Sequence, residues 1–169
     1  MEISPLQRMR IIQSAERVLH ASCNRSKTFS EMTIVLDYNM DCDKIKEVVK
    51  TLIVVLKSHG EQFKNIRCNV VHWIGTKDIQ STITPLAMLQ LEGFFENYSQ
   101  NISVKTLEYL TEYLKLFHAR SSIVWIVTNE NYTIVDKVLL QRTLHPFLKS
   151  KIIFYNDNHI ELGIQKKYD

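Results

Sequence analysis

The chain has 169 residues, 45% hydrophobic and 23% charged, the balance of one globular domain (1–169) large enough to bury a core. A formal net charge of +3 asks for no polyanionic partner; Arg8, Arg10, Arg17, Arg25 and Lys27 make the first segment locally basic, but such faces are ordinarily just solvated, so no nucleic-acid binding is expected. Cys23, Cys42 and Cys68 are odd in number and far apart, which argues against a disulfide framework and favours a reducing, cytoplasmic setting.

Ser4-Pro5 is a helix start, a serine cap with proline at the first helical position. Leu6, Met9, Ile12, Ala15, Val18 and Leu19 follow at helical spacing and predict a helix over 5–21 with its apolar stripe on a sheet. No continuous apolar core with a cleavage site marks residues 1–20 as a secretory signal. Asn24 to Glu31 is polar and reads as a loop.

Thr33–Leu36 reads as a short buried strand, followed by oxygen side chains at alternate positions: Asp37, Asn39 and Asp41. Acids in the loop at the carboxyl end of a buried strand stand where open α/β sheets place ligand sites. A helix is predicted from Lys44 to His59, with Asp43 as cap, Ile45, Val48, Val49, Leu52 and Leu56 buried, and Gly60 ending it. Cys42 reads as a small residue in its first turn. The run Leu52–Leu56 is the longest apolar one and far too short to span a bilayer, so no membrane insertion is expected.

Asn65–Ile74 (NIRCNVVHWI) predicts a strand whose polar Arg67, Asn69 and His72 suggest an edge. Gly75 and the polar Thr76–Thr84 read as a loop or very short strand, and Thr84-Pro85 opens a helical stretch with Leu86, Leu89 and Phe94 inward. Another helix is predicted over Val104–His118, capped by Ser103 and apolar along Leu107, Leu110, Leu114 and Phe117. Ser122–Val127 is the most hydrophobic strand and therefore expected to be central. Thr133 caps a last long helix, with Asp136 in capping-box position and Val135, Val138, Leu139 and Phe147 as apolar contacts. Ile152–Tyr155 is a further strand, and Ile160–Ile164 a short extended piece.

Strands and helices alternating at these lengths imply an α/β fold, a mostly parallel central sheet with one antiparallel edge strand and helices on both faces, a Rossmann-like three-layer α/β/α arrangement. Over residues 32–155 the order and motifs resemble a von Willebrand factor A-type domain. TIVLDYNMD (33–41) is similar to that family's first strand and its D-x-S-x-S loop, here D-x-N-x-D; IVWIVTNE (123–130) is similar to the later strand that ends in T-D-G. NIRCNVVHWI takes the place of the family's antiparallel edge strand.

The resemblance implies a metal-ion-dependent adhesion site. It carries Asp37, Asn39 and Asp41 into the metal loop, puts the family's threonine near Asn101 or Ser103, and puts its second aspartate at Asn129. Two serines have thus become Asn39 and Asp41, and the aspartate and glycine of T-D-G have become Asn129 and Glu130. Hard cations want oxygen ligands, and two carboxylates with water could hold Mg²⁺, but Asn129 removes a formal charge. The expectation is a degenerate site with no cofactor or weak Mg²⁺ binding.

The scattered histidines have no metal spacing, and G-x-S-x-G, G-x-G-x-x-G and G-K-[ST] motifs are absent. The expected function is a non-enzymatic protein-binding adaptor, contacting its partner through Asp43, Asn101, Glu130 and Asn131. The alternatives are a phosphoacceptor or phosphatase-like domain using Asp37, and a homo-oligomer paired through NIRCNVVHWI.

Overall fold

The computed structural model describes residues 4–13, 16, 31–58, 66–90, 92–117, 123–144, 151–155 and 160–162, with the backbone alone for Gln90, Glu92 and the last two segments. The fold is α/β. In chain order the elements are α1 (5–13), β1 (Glu31–Asp37), α2 (Cys42–Ser58), β2 (Arg67–Trp73), β3 (Ile79–Pro85), two short 3₁₀ segments (Leu86–Gln90 and Glu92–Phe95), α3 (Leu107–Phe117), β4 (Ile123–Val127), α4 (Ile134–Leu144), β5 (Lys151–Tyr155) and β6 (Ile160–Leu162). The sheet order is β3-β2-β1-β4-β5-β6. Within β3-β2-β1-β4, β1 runs parallel to both β2 and β4, and β3 is antiparallel to β2. β5 continues the parallel set beside β4, and β6 turns back against β5.

Alternation along the buried strands builds a core on each face of the sheet. Met32, Ile34 and Leu36 of β1, with Cys68, Val70, Ile123, Trp125 and Val127, pack against α2 and the 3₁₀ segments. Val35, Val71, Trp73, Val124 and Ile126 face the other way, onto Leu107, Leu110 and Leu114 of α3 and Leu140 and Leu144 of α4. All five residues of β4 are buried, in keeping with a central strand. None of the described helices is long and apolar enough to cross a membrane.

β2 corrects the sequence reading. It is an interior strand, parallel to β1, and not the antiparallel edge. Arg67 is exposed, but the other two polar residues are bonded to neighbouring segments: Asn69 Nδ2 donates to Glu31 Oε1 at 3.0 Å, and the His72 ring lies between Tyr38 Oη (2.9 Å) and Thr82 Oγ1 (3.0 Å). At Asn69 and His72 polarity signalled hydrogen bonding to neighbouring segments. The antiparallel edge beside it is β3, which fills most of the stretch expected as a loop or very short strand and runs on to Pro85; its β-branched Ile79, Thr82, Ile83 and Thr84 suit an exposed outer strand.

The helices differ from expectation in detail. On α1, Ile11 is buried and Ile12 packs against the core, whereas Leu6 and Met9 are exposed; the expected Ala15, Val18 and Leu19 lie outside the described residues. Arg8 pairs with Glu47 of α2 at 2.9 Å. α2 buries all five expected residues, but its cap is Asp41, not Asp43: Asp41 Oδ1 accepts from the backbone N–H groups of Asp43 (2.8 Å) and Lys44 (3.4 Å). Gly60 lies outside the described residues.

After Pro85 the chain forms 3₁₀ turns in place of one helix, with Leu86, Leu89 and Phe95 buried and Phe94 half-buried. α3 starts at Leu107, so Ser103 does not cap it, and Phe117 is exposed. Thr133 does cap α4, its Oγ1 accepting from Asp136 N–H at 3.1 Å. α4 nevertheless turns Val135 and Leu139 outward and buries Lys137, Leu140 and Leu144. Phe147 lies outside the described residues.

Candidate functional site

β1 ends on Asp37, which has no exposed surface. Its carboxylate is engaged at both oxygens. Oδ2 accepts from the Thr128 hydroxyl at 2.7 Å, and Oδ1 accepts from Asn39 N–H at 2.9 Å, closing a tight turn after the strand. Thr128 Oγ1 in turn accepts from Glu130 N–H at 3.1 Å, so one hydroxyl fastens both loops.

The Asn39 amide pairs face to face with the Ser103 peptide. Its Oδ1 accepts from Ser103 N–H, and its Nδ2 donates to Ser103 C=O, each at 2.9 Å. This stitches the loop after β1 to the extended segment before α3. Further bonds hold the same segment: Asn101 N–H to Tyr38 C=O (2.9 Å), Gln100 Nε2 to Asn39 C=O (2.8 Å), Thr76 Oγ1 to Val104 C=O, and Tyr132 Oη to Lys105 C=O (2.7 Å).

Lys105 is the residue the sequence reading missed. Its side chain is fully buried and its ammonium donates to Asn39 Oδ1 (2.6 Å), Ser103 Oγ (2.7 Å) and the Asn101 carbonyl (3.1 Å). An ammonium has three N–H donors, so each finds an acceptor. Asp37 Oδ1 lies 3.8 Å from the same nitrogen and supplies the opposite charge. Burial pushes the Lys105 ammonium below its usual pKa, with Asp37 and Glu130 opposing. Burial likewise raises the Tyr132 hydroxyl, with the charges of Asp37 and Glu130 adding to it.

The expected site residues therefore divide. Asp37, Asn39 and Ser103 converge, and Asn101 joins them through its carbonyl. Asp41 is turned to the start of α2. Asn129 is half-buried, with its Oδ1 enclosed and without a hydrogen-bond partner. Asp43, Glu130 and Asn131 are exposed around this edge.

Divalent metal ions require several oxygens free to turn toward one point, at about 2.0–2.1 Å for Mg²⁺. Here Asn39 Oδ1 and Ser103 Oγ already face an ammonium, and both Asp37 oxygens accept hydrogen bonds. Among the described residues no group of three or more His, Cys, Asp or Glu side chains is placed to hold a metal ion. With Lys105 seated, the donor set does not fit Mg²⁺.

Beside this cluster, the Tyr38 and Tyr98 rings meet at a tilt of 37° with centroids 4.3 Å apart, and Tyr98 Oη donates to Met40 C=O at 2.6 Å. The sequence signal for Lys105 was obscured by reading Val104 onward as helix. No local pattern marks it, because its partners Asn39 and Asp37 lie on a distant segment. No protein-family model, curated protein or solved structure matches this chain.

Proposed function

We propose that the chain is a three-layer α/β/α domain of von Willebrand factor A type that works as a non-enzymatic protein-binding adaptor at the carboxyl edge of its sheet. The observation that carries this reading is the loop before α3. Ile102 and Val104, 78% and 74% exposed, are the most exposed large apolar side chains among the described residues. They flank Ser103, whose peptide is held on both sides by Asn39. Exposed apolar groups on a fastened backbone lose little entropy on docking, which favours a binding surface. Asp43, Asn101, Glu130 and Asn131 add polar groups to the same edge.

Catalysis finds less support. Asp37 is fully buried with both oxygens occupied, which does not suit a phosphoacceptor or phosphatase nucleophile. Three cysteines, odd in number and far apart, support a reducing, cytoplasmic setting. A second reading, self-association, is favoured by β3, the outer strand with four consecutive exposed residues from Gln80 to Ile83.

Quantitative affinity capture with the wild type and an Ile102→Asp/Val104→Asp pair tests the main reading, alongside light scattering. A partner retained by the wild type, lost with the pair and bound again when purified supports it. Equal capture by both proteins overturns the placement of the surface, and a concentration-dependent dimer abolished by Ile83→Lys would favour self-association.

A further inference from the structure

We infer that the Lys105 ammonium is the built-in cation of this edge, and that removing it uncovers a cation site. Four oxygens surround the nitrogen: Asn39 Oδ1, Ser103 Oγ, the Asn101 carbonyl and, at 3.8 Å, Asp37 Oδ1. Two of these come from the end of β1 and the loop after it and two from the segment before α3, so the cation joins both segments. A metal in this position would do the same work of neutralising Asp37 and organising the two loops. Lys105 does it covalently, from within one of the segments it organises.

Size and charge suit a lysine to this seat. An ammonium on a four-carbon stem is a compact point charge with rotatable donors, and here it arrives with all three donors satisfied. The amide at Asn129 fits the same scheme. A monovalent cation already paired with Asp37 needs no second carboxylate, and Asn129 adds no charge. This inference rests on the Lys105 geometry and holds whatever partner the domain binds.

Lys105→Ala leaves the oxygens in place and removes a fragment equivalent to n-propylammonium. The experiment records thermal midpoints of the chelator-treated wild type and variant with Mg²⁺, Mn²⁺, n-propylammonium and, at matched ionic strength, tetramethylammonium. The wild type is expected to be unmoved by all four. The variant is expected to melt roughly 10 °C lower and to recover in part with Mn²⁺, Mg²⁺ or n-propylammonium, but not with tetramethylammonium.

A variant as stable as the wild type, or one that no small cation restores, overturns the inference. Should the variant not fold, the wild type decides. Saturable Mn²⁺ binding seen by electron paramagnetic resonance and lost in Asp37→Asn refutes it. Slowly exchanging Lys105 ammonium protons, seen by nitrogen-15 NMR of the lysine side chain, support it.

Discussion

The Thr128 hydroxyl donates to Asp37 Oδ2 at 2.7 Å, one step beyond the Leu36–Val127 pair of the parallel strands β1 and β4. Both residues are fully buried. Thr128→Val keeps the shape but leaves a charged acceptor short of a donor, and frees Glu130 N–H from its acceptor. The expected loss is about 1–3 kcal/mol in urea unfolding, with Thr128→Ser retaining most of the stability. An unchanged unfolding midpoint for Thr128→Val would show that this bond contributes nothing.

Asp37 and Lys105 form a buried pair, and such pairs are costly to break one partner at a time. Asp37→Ala should cost about 3–5 kcal/mol, because Lys105 is left buried with a charge that no carboxylate offsets. Adding Lys105→Met to that variant should recover part of the loss, giving a coupling of about 1 kcal/mol or more in a double-mutant cycle. Additive losses would mean that the two groups do not sense each other.

Acid should weaken the fold through His72. Burial lowers the pKa of this ring, which sits between Tyr38 Oη and Thr82 Oγ1. Below the unfolded-state value of 6.5 the unfolded chain takes up a proton that the folded chain resists. Stability from neutral His72 is therefore complete above that pH and is lost as pH falls through the depressed folded value. Urea midpoints between pH 7.5 and 5 should decline for the wild type, and His72→Gln should flatten the decline. A parallel decline in both proteins would assign the effect to other groups.

The described thiols should differ in reactivity. Cys68 is buried and its thiol is pushed up to about 12, which leaves almost no thiolate at neutral pH. Cys42 is half-buried in the first turn of α2. Brief alkylation of the native protein, read by peptide mass spectrometry, should label Cys42 well before Cys68. Labelling of Cys68 at an equal rate would show that β2 opens readily.

The strand and helix order was legible because the apolar runs are strongly patterned, and Ile34, Val124 and Ile126 are buried as their runs imply. Asn69 and His72 misled, since hydrogen bonds to Glu31, Tyr38 and Thr82 come from other segments and no local window contains them. α4 misled differently. Val135 and Leu139 look like a core stripe, yet Leu140 and Leu144 are the residues turned inward, a choice set by the tertiary seat of the helix. At the site, Asp37 and Asn39 could be read from the strand end. Lys105 could not, because its role depends on partners that lie as far as 68 residues away in the chain, at Asp37.

The doubly bonded Asn39–Ser103 pair has a kinetic consequence. Residues 98–106 form neither helix nor strand, and such segments ordinarily exchange their amide hydrogens within moments. Ser103 N–H, however, is sealed by a side chain rooted at the end of β1, and its neighbours are tied to Tyr38, Lys105 and Thr76. To release that hydrogen the loop must part from the strand. The clock of this irregular segment is thus the clock of the sheet, and Ser103 should keep its hydrogen about as long as Val35 keeps its own.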